Sequence, residues 1–221
     1  YLVITSKNKK SSDVKKGVII TAWVHPGESI SSWMMKGVLD FLTGDSQEAI
    51  ILRDMFVFKV IPMLNPDGVI NGNYRCGLCG GDLNWWYKVP SKILHPNIYA
   101  FKKLCQEFQE EREISLIVDL HGHSRWKNIF MYGNNIQSDW TSTWIFPFIM
   151  SKLLDYFSYG YSRFNYSKAK EATAWISLYK DLKIANVFTM EASFLGPDTG
   201  EFSNKHFNTD LLAKAGWTLL E

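Results

Sequence analysis

His25-Pro26-Gly27-Glu28 sets an imidazole and a carboxylate three residues apart, a spacing at which a nitrogen and an oxygen can reach one ion. A third ligand from another segment would leave a coordination position open for water, as a catalytic zinc requires. His121-Gly122-His123-Ser124 offers that ligand through either histidine. Asp119 stands two positions before His121, so in an extended strand the two side chains share a face and the carboxylate can orient an imidazole. Glu191 lies inside the apolar run from Val187 to Phe194, where an ionised carboxylate is costly unless it is paired or faces a cleft. As a functional group it is a general base whose proton affinity is tuned by burial and a nearby metal. Arg75, in a Gly-rich loop, is a donor for an oxyanion beside such a metal. Each residue has a plainer alternative: a surface or capping His25, a structural ion pair for Glu191, a solvated Arg75, an Asp119 bonded to loop amides. Cys76 and Cys79 form a C-x-x-C without a second pair, so a loop with no redox or zinc role is the simpler reading.

For these groups to meet, several strand ends must converge. Residues 18–24, 55–64, 114–120, 128–132 and 186–193 read as strands, most of them continuous apolar runs of the kind buried on both faces. Helices are expected at 32–42, closed by Gly44, at 47–54, at 143–157, at 171–183 and within 208–220. Another opens at Pro96 and carries Ile98, Phe101, Leu104 and Phe108 at helical spacing. Asn65-Pro66-Asp67-Gly68 is a turn signal that begins a long loop to residue 87. The alternation predicts an α/β domain with a mixed, mostly parallel sheet covered by helices on both faces. In such sheets reactive groups collect beyond the carboxyl ends of the strands, where His25, Arg75 and His121 fall.

The chain has 221 residues, suited to one large domain, and its 46% hydrophobic content excludes disorder as the main state. Twenty-four Lys and Arg against 22 Asp and Glu leave +2, too weak a bias to suggest nucleic acid or an anionic membrane as partner. No apolar stretch approaches the roughly 18 residues of a membrane helix. Residues 6–16 are basic and polar and are expected to form a solvated hairpin or loop. Three cysteines fit a reducing compartment, the cytosol, better than a disulfide framework. The opening Tyr1-Leu2-Val3-Ile4-Thr5 has neither an initiator Met nor a signal-peptide pattern, and reads as a piece of a longer chain.

His-Pro-Gly-Glu-Ser, Asn-Pro-Asp-Gly-Val, Gly-Asn-Tyr-Arg, Gly-Asp-Leu-Asn, Asp-Leu-His-Gly-His-Ser and Phe-Thr-Met-Glu-Ala-Ser-Phe occur here in the order found in zinc metallocarboxypeptidases. The chain resembles the cytosolic carboxypeptidase subfamily from Leu2 to about Phe207. The resemblance implies that His25, Glu28 and His121 bind one zinc per chain, with His123 beside the site. It implies that Arg75 polarises the scissile carbonyl and that Glu191 takes a proton from the attacking water and passes it to the leaving amine. Subfamily members remove glutamates from C-terminal tails and branch polyglutamates, tubulin's above all. The implied partners are therefore glutamate-rich protein tails, and the implied setting is the cytoplasm, with microtubule or cilium association. By the same comparison residues 1–221 are a catalytic domain lacking its first strands and an upstream β-sandwich domain.

Three departures bear on substrate binding. The family pattern has Arg after Gly-Asp-Leu-Asn to grip the substrate's terminal carboxylate, whereas Asn84 is followed by Trp85. Relatives usually read Thr-Ala-Arg where this chain has Thr173-Ala174-Trp175, and Lys where it has Trp126. An indole has one neutral donor and cannot replace a guanidinium–carboxylate pair. Two alternatives to a deglutamylating hydrolase follow: a catalytically impaired, zinc-containing binding module for glutamate-rich tails, and a zinc amidohydrolase acting on a non-peptide substrate. For the family's catalytic-site tyrosine, Tyr161 and Tyr166 are the candidates.

Overall fold

The computed structural model describes residues 1–7, 15–136 and 140–221. Most of the expected polar loop at 6–16 lies outside them. Among the described residues six strands form one sheet in the order β1-β3-β2-β4-β6-β5. β2 (Lys16–Ala22), β3 (Phe56–Ile61), β4 (Ile114–His123) and β6 (Val187–Ser193) run parallel. β1 (Leu2–Ile4) and β5 (Ile129–Tyr132) close the two edges antiparallel. The sheet is thus mixed and mostly parallel, as the sequence predicts. β1 was not expected as a strand, because three residues with two exposed carry no alternation to read.

The apolar runs divide by parity between two cores. Val18, Ile20 and Ala22 of β2, with Val118 and Leu120 of β4, pack under α1 (Ser29–Thr43), α2 (Gln47–Met55), α5 (Trp140–Leu153) and α7 (Thr209–Thr218). Ile19 and Ile117 point the other way, into α4 (Pro96–Glu111) and α6 (Ala174–Leu182). Burial on both faces is why these strands lack polar alternation. Caps set several helix starts. Ser46 accepts from the Ala49 amide ahead of α2, Asn208 from Leu211 ahead of α7, and Asn65 from Gly68 ahead of the short α3 (Pro66–Ile70). Pro96 opens α4 at a position where no amide is needed.

From β2 the chain moves outward to β3, then crosses back over β2 to β4. The point between β2 and β4, where the winding changes direction, leaves a crevice beyond their carboxyl ends. β4 is longer than expected and runs through His123 because β6 pairs with it along its whole end, setting His121 opposite Glu191 and His123 opposite Ser193.

α1 and α7 lie against each other at backbone distance. A Cβ on Gly37 would stand 1.8 Å from the Ala213 carbonyl oxygen, so nothing larger fits without moving a helix. Gly37→Ala should therefore destabilise the chain by about 1–3 kcal/mol, the usual cost of overpacking, read from chemical denaturation.

Candidate active site

β2 ends at Ala22, and Trp23 then takes a left-handed conformation (φ 64°), unusual for a bulky residue, that turns the chain toward the crevice. The turn is pinned from the loop after β3: the Leu64 and Asn65 amides donate to the Ala22 and Trp23 carbonyls, and Asn65 Nδ2 donates to the Val24 carbonyl at 3.1 Å. Gly27 donates to the Tyr74 carbonyl at 2.7 Å, and a Cβ on Gly27 would lie as close to that oxygen. That contact brings the Arg75 loop against the His25 segment.

His25, Glu28 and His121 meet here, all three buried, with ligand atoms within 4.8 Å of one another. Glu28 Oε1 lies 2.7 Å from His25 Nδ1, and Glu28 Oε2 lies 3.1 Å from His121 Nδ1. Both Nδ1 atoms therefore face the carboxylate. Both Nε2 atoms face outward to carboxylates of their own: His25 to Asp82 Oδ1 at 3.0 Å, His121 to Asp119 Oδ2 at 2.8 Å. Asp119 is fixed in turn by the Thr21 hydroxyl at 2.7 Å, and Glu28 Oε2 accepts the Gly122 amide at 2.8 Å. Two imidazoles and a carboxylate converging inward, with each imidazole backed by a carboxylate, fit a zinc ion by donor type and by outer support. His123, one step further along β4, instead accepts the Arg125 and Trp126 amides through Nδ1.

These groups neutralise one another. Burial opposes charge on His25, but hydrogen bonds to Asp82 and Glu28 hold its pKa above the ordinary value. His121 is carried well above its ordinary value against burial by Asp119 and Glu28. Burial would raise Glu28, yet the two imidazoles hold it well below the usual carboxylate range.

Glu191 is different. It is buried at 8% exposure, and its Oε2 has no hydrogen-bond partner among the described residues. Burial pushes its pKa up to about 7; Glu28 and Asp119 add to the rise, and His121 and His25 oppose it.

Around this core lies an open cleft of about 280 Å³, enough for the end of a chain and far too small for a folded partner. Arg75 reaches it, held by Nε donating to Asp82 Oδ2 at 2.6 Å. Asn84 and Trp85 line it from a 3₁₀ turn at Leu83–Trp85, and the buried Asn84 Oδ1 lacks a partner among the described residues. Trp175 lines it from α6 at 4% exposure. His25, Glu28, Arg75, Asn84, Trp85, His121, Trp175 and Glu191 therefore all border one cleft, whereas Asp119 stands behind His121 and does not line it. Trp126 does not; it packs on His123, Phe130 and Tyr161. Neither candidate tyrosine reaches the cleft, since Tyr161 donates to Asp198 and Tyr166 accepts from Lys180; the tyrosines there are Tyr74 and Tyr132. Cys76 and Cys79 are free thiols outside the donor cluster.

Sequence reasoning missed Asp82, Tyr132, Arg125 and Lys170. Asp82 sits within the quoted Gly-Asp-Leu-Asn, but only the fold reveals that it faces His25, 57 positions away.

Residues 1–89 match the zinc carboxypeptidase family, the M14 peptidases. The chain is 47% identical to cytosolic carboxypeptidase 3 of Bos taurus over 98% of its own length and 22% of the relative's. It is 45% identical to cytosolic carboxypeptidase 2 of Mus musculus, covering 96% of this chain and 25% of the relative. It thus spans about a quarter or less of the curated relatives it matches. The fold is that of a metallo-carboxypeptidase from Burkholderia cenocepacia (TM-score 0.84, 21% identity, 99% of this chain and 58% of that one). It is equally that of a protein described as a carboxypeptidase A from Shewanella denitrificans (TM-score 0.83, 24% identity, 99% and 58%). Fold and sequence agree on the class, a metallocarboxypeptidase domain. The first 89 residues are similar to the zinc carboxypeptidase family, and over nearly its whole length the chain is similar to the cytosolic carboxypeptidases.

Because carboxylate neighbours raise the pKa values of His25 and His121, zinc binding should release protons and weaken as pH falls. The sign follows from the raised imidazole pKa values: lowering the pH fills those sites and favours the metal-free ion pairs. Calorimetry of zinc binding in two buffers of different ionisation enthalpy should show proton release; a buffer-independent heat and a pH-independent affinity would contradict the assignment.

Proposed function

We propose that this chain is the catalytic part of a zinc carboxypeptidase that removes C-terminal or branch glutamates from acidic protein tails in the cytoplasm, tubulin's among them. The observation that carries the reading is the unpartnered, buried Glu191 oxygen beside a three-donor cluster. A structural ion pair would have satisfied that oxygen; a base awaiting water leaves it open. The names of the cytosolic carboxypeptidases support the peptide-bond chemistry and the compartment.

In this reading His25, Glu28 and His121 hold one zinc, with Asp82 and Asp119 fixing the two rings. When bound, the metal supplies Lewis acidity that eases deprotonation of a water and polarises a carbonyl. The Glu191 carboxylate accepts at Oε2 a proton of the water whose oxygen bonds to the carbonyl carbon, and delivers it to the amine nitrogen as the C–N bond breaks, so the carboxylate is regenerated each cycle. Arg75 donates to the carbonyl oxygen as negative charge grows there, and Asp82 keeps the guanidinium aimed. Asn84 and Trp85 line the position of the terminal carboxylate, where the indole offers no charge.

That neutrality favours the second reading, a binding module with weak turnover. Two variants separate them. Glu191→Gln should abolish glutamate release from a polyglutamate-ended peptide while about one zinc per chain remains bound, and a variant still active would remove Glu191 from the mechanism. Trp85→Arg should raise kcat/KM on a glutamate-ended peptide by about tenfold or more, the order for a new charged hydrogen bond in a partly shielded site. An unchanged value would count against a substrate carboxylate at that position.

A further inference from the structure

We propose that Lys170 is the residue with which this chain recognises the acidic side chain of a substrate's last residue, with Arg125, also on the wall of the cleft, adding a second positive charge. The inference rests on the reading of a glutamate-ended substrate and goes on to say which group selects it.

Both tryptophans of the cleft are neutral, so selection for an acid must come from the cations that line it: Arg75, Arg125 and Lys170. Arg75 is already engaged by Asp82 at 2.6 Å. Lys170 has no carboxylate partner among the described residues. The nearest acid in sequence, Glu171, is taken by two other lysines, Lys180 at 2.5 Å and Lys88 at 2.8 Å. Lys170 Nζ instead lies 4.3 Å from the centre of the Tyr132 ring, a second wall of the cleft. An ammonium partly shielded from water and balanced only by a ring face gains more from an arriving carboxylate than a solvated lysine does.

The backbone holds it there. Lys170 N donates to the Ser167 carbonyl, and the Lys170 carbonyl accepts both the amide and, at 2.7 Å, the hydroxyl of Thr173, the N-cap residue of α6. Lys170 thus stands on a tight turn on the wall that also carries Trp175.

The test uses the zinc-loaded chain with Glu191→Gln, which binds without turnover, and two N-terminally labelled acidic peptides that differ only in a terminal Glu or Gln. Fluorescence anisotropy should give a preference for the Glu-ended peptide. Lys170→Gln should weaken that peptide about tenfold and the Gln-ended one by less than about twofold, as expected for one charged hydrogen bond. Lys170→Arg should keep the preference, Arg125→Gln should reduce it in part, and Lys170→Glu should shift it toward a Lys-ended peptide. An unchanged Glu-to-Gln ratio in Lys170→Gln overturns the assignment, as does a parent chain without any preference. If the preference is present and depends on Lys170, yet the chain with Glu191 intact releases no glutamate, the recognition stands and the hydrolase reading falls.

Discussion

Buried charge at one end of the sheet must be neutralised on the spot, and the architecture around it follows from that need. Glu28, Asp119 and Glu191 lie with His25 and His121 where water is largely excluded. An isolated ion there would cost far more than a domain's net stability can supply. Compensation comes from short contacts: each imidazole lies between two carboxylates, Thr21 and Gly122 donate to Asp119 and Glu28, and Arg75 completes Asp82. The close register of β4 against β6, the Trp23 turn and the Asn65 clasp all serve to bring these groups within hydrogen-bond reach. Of these five groups Glu191 is the one with an oxygen that has no hydrogen-bond partner among the described residues.

Much of this was legible in the sequence because the main strands are apolar on both sides. Their runs placed β2, β3, β4 and β6 to within a few residues and put His25 and His121 near strand ends. The chemistry of the site was legible too, since a carboxylate such as Glu191 inside an apolar strand has few explanations. Other features were not local enough to read. The end of β4 was set too early because His-Gly-His resembles a loop, and only pairing with β6 extends it. His121 and His123 share a face of β4, so parity could not choose between them; the choice comes from Glu28 facing one ring and loop amides facing the other. Asp82 and Lys170 belong to irregular segments whose positions depend on contacts made far along the chain.

The cleft itself is rich in aromatic side chains. Trp85, Trp175, Tyr74 and Tyr132 form much of its wall. Aromatic faces exclude water and sharpen whatever charge remains, so a few cations at fixed positions have greater selective effect than the same cations on an open surface. Two of those cations are held in different ways: Arg75 by the carboxylate of Asp82, Lys170 against the ring of Tyr132.

Asp82 has a consequence of another kind. One of its oxygens holds His25 and the other holds Arg75, so a single carboxylate divides its charge between a ring of the three-donor cluster and a guanidinium on the wall of the cleft. Any ligand that draws Arg75 away leaves more of that charge for His25 and makes its ring a stronger donor. By thermodynamic reciprocity, an ion that draws electron density from His25 loosens the hold of Asp82 on Arg75 by the same free energy. The two halves of the site are therefore linked through one side chain, and filling either half prepares the other.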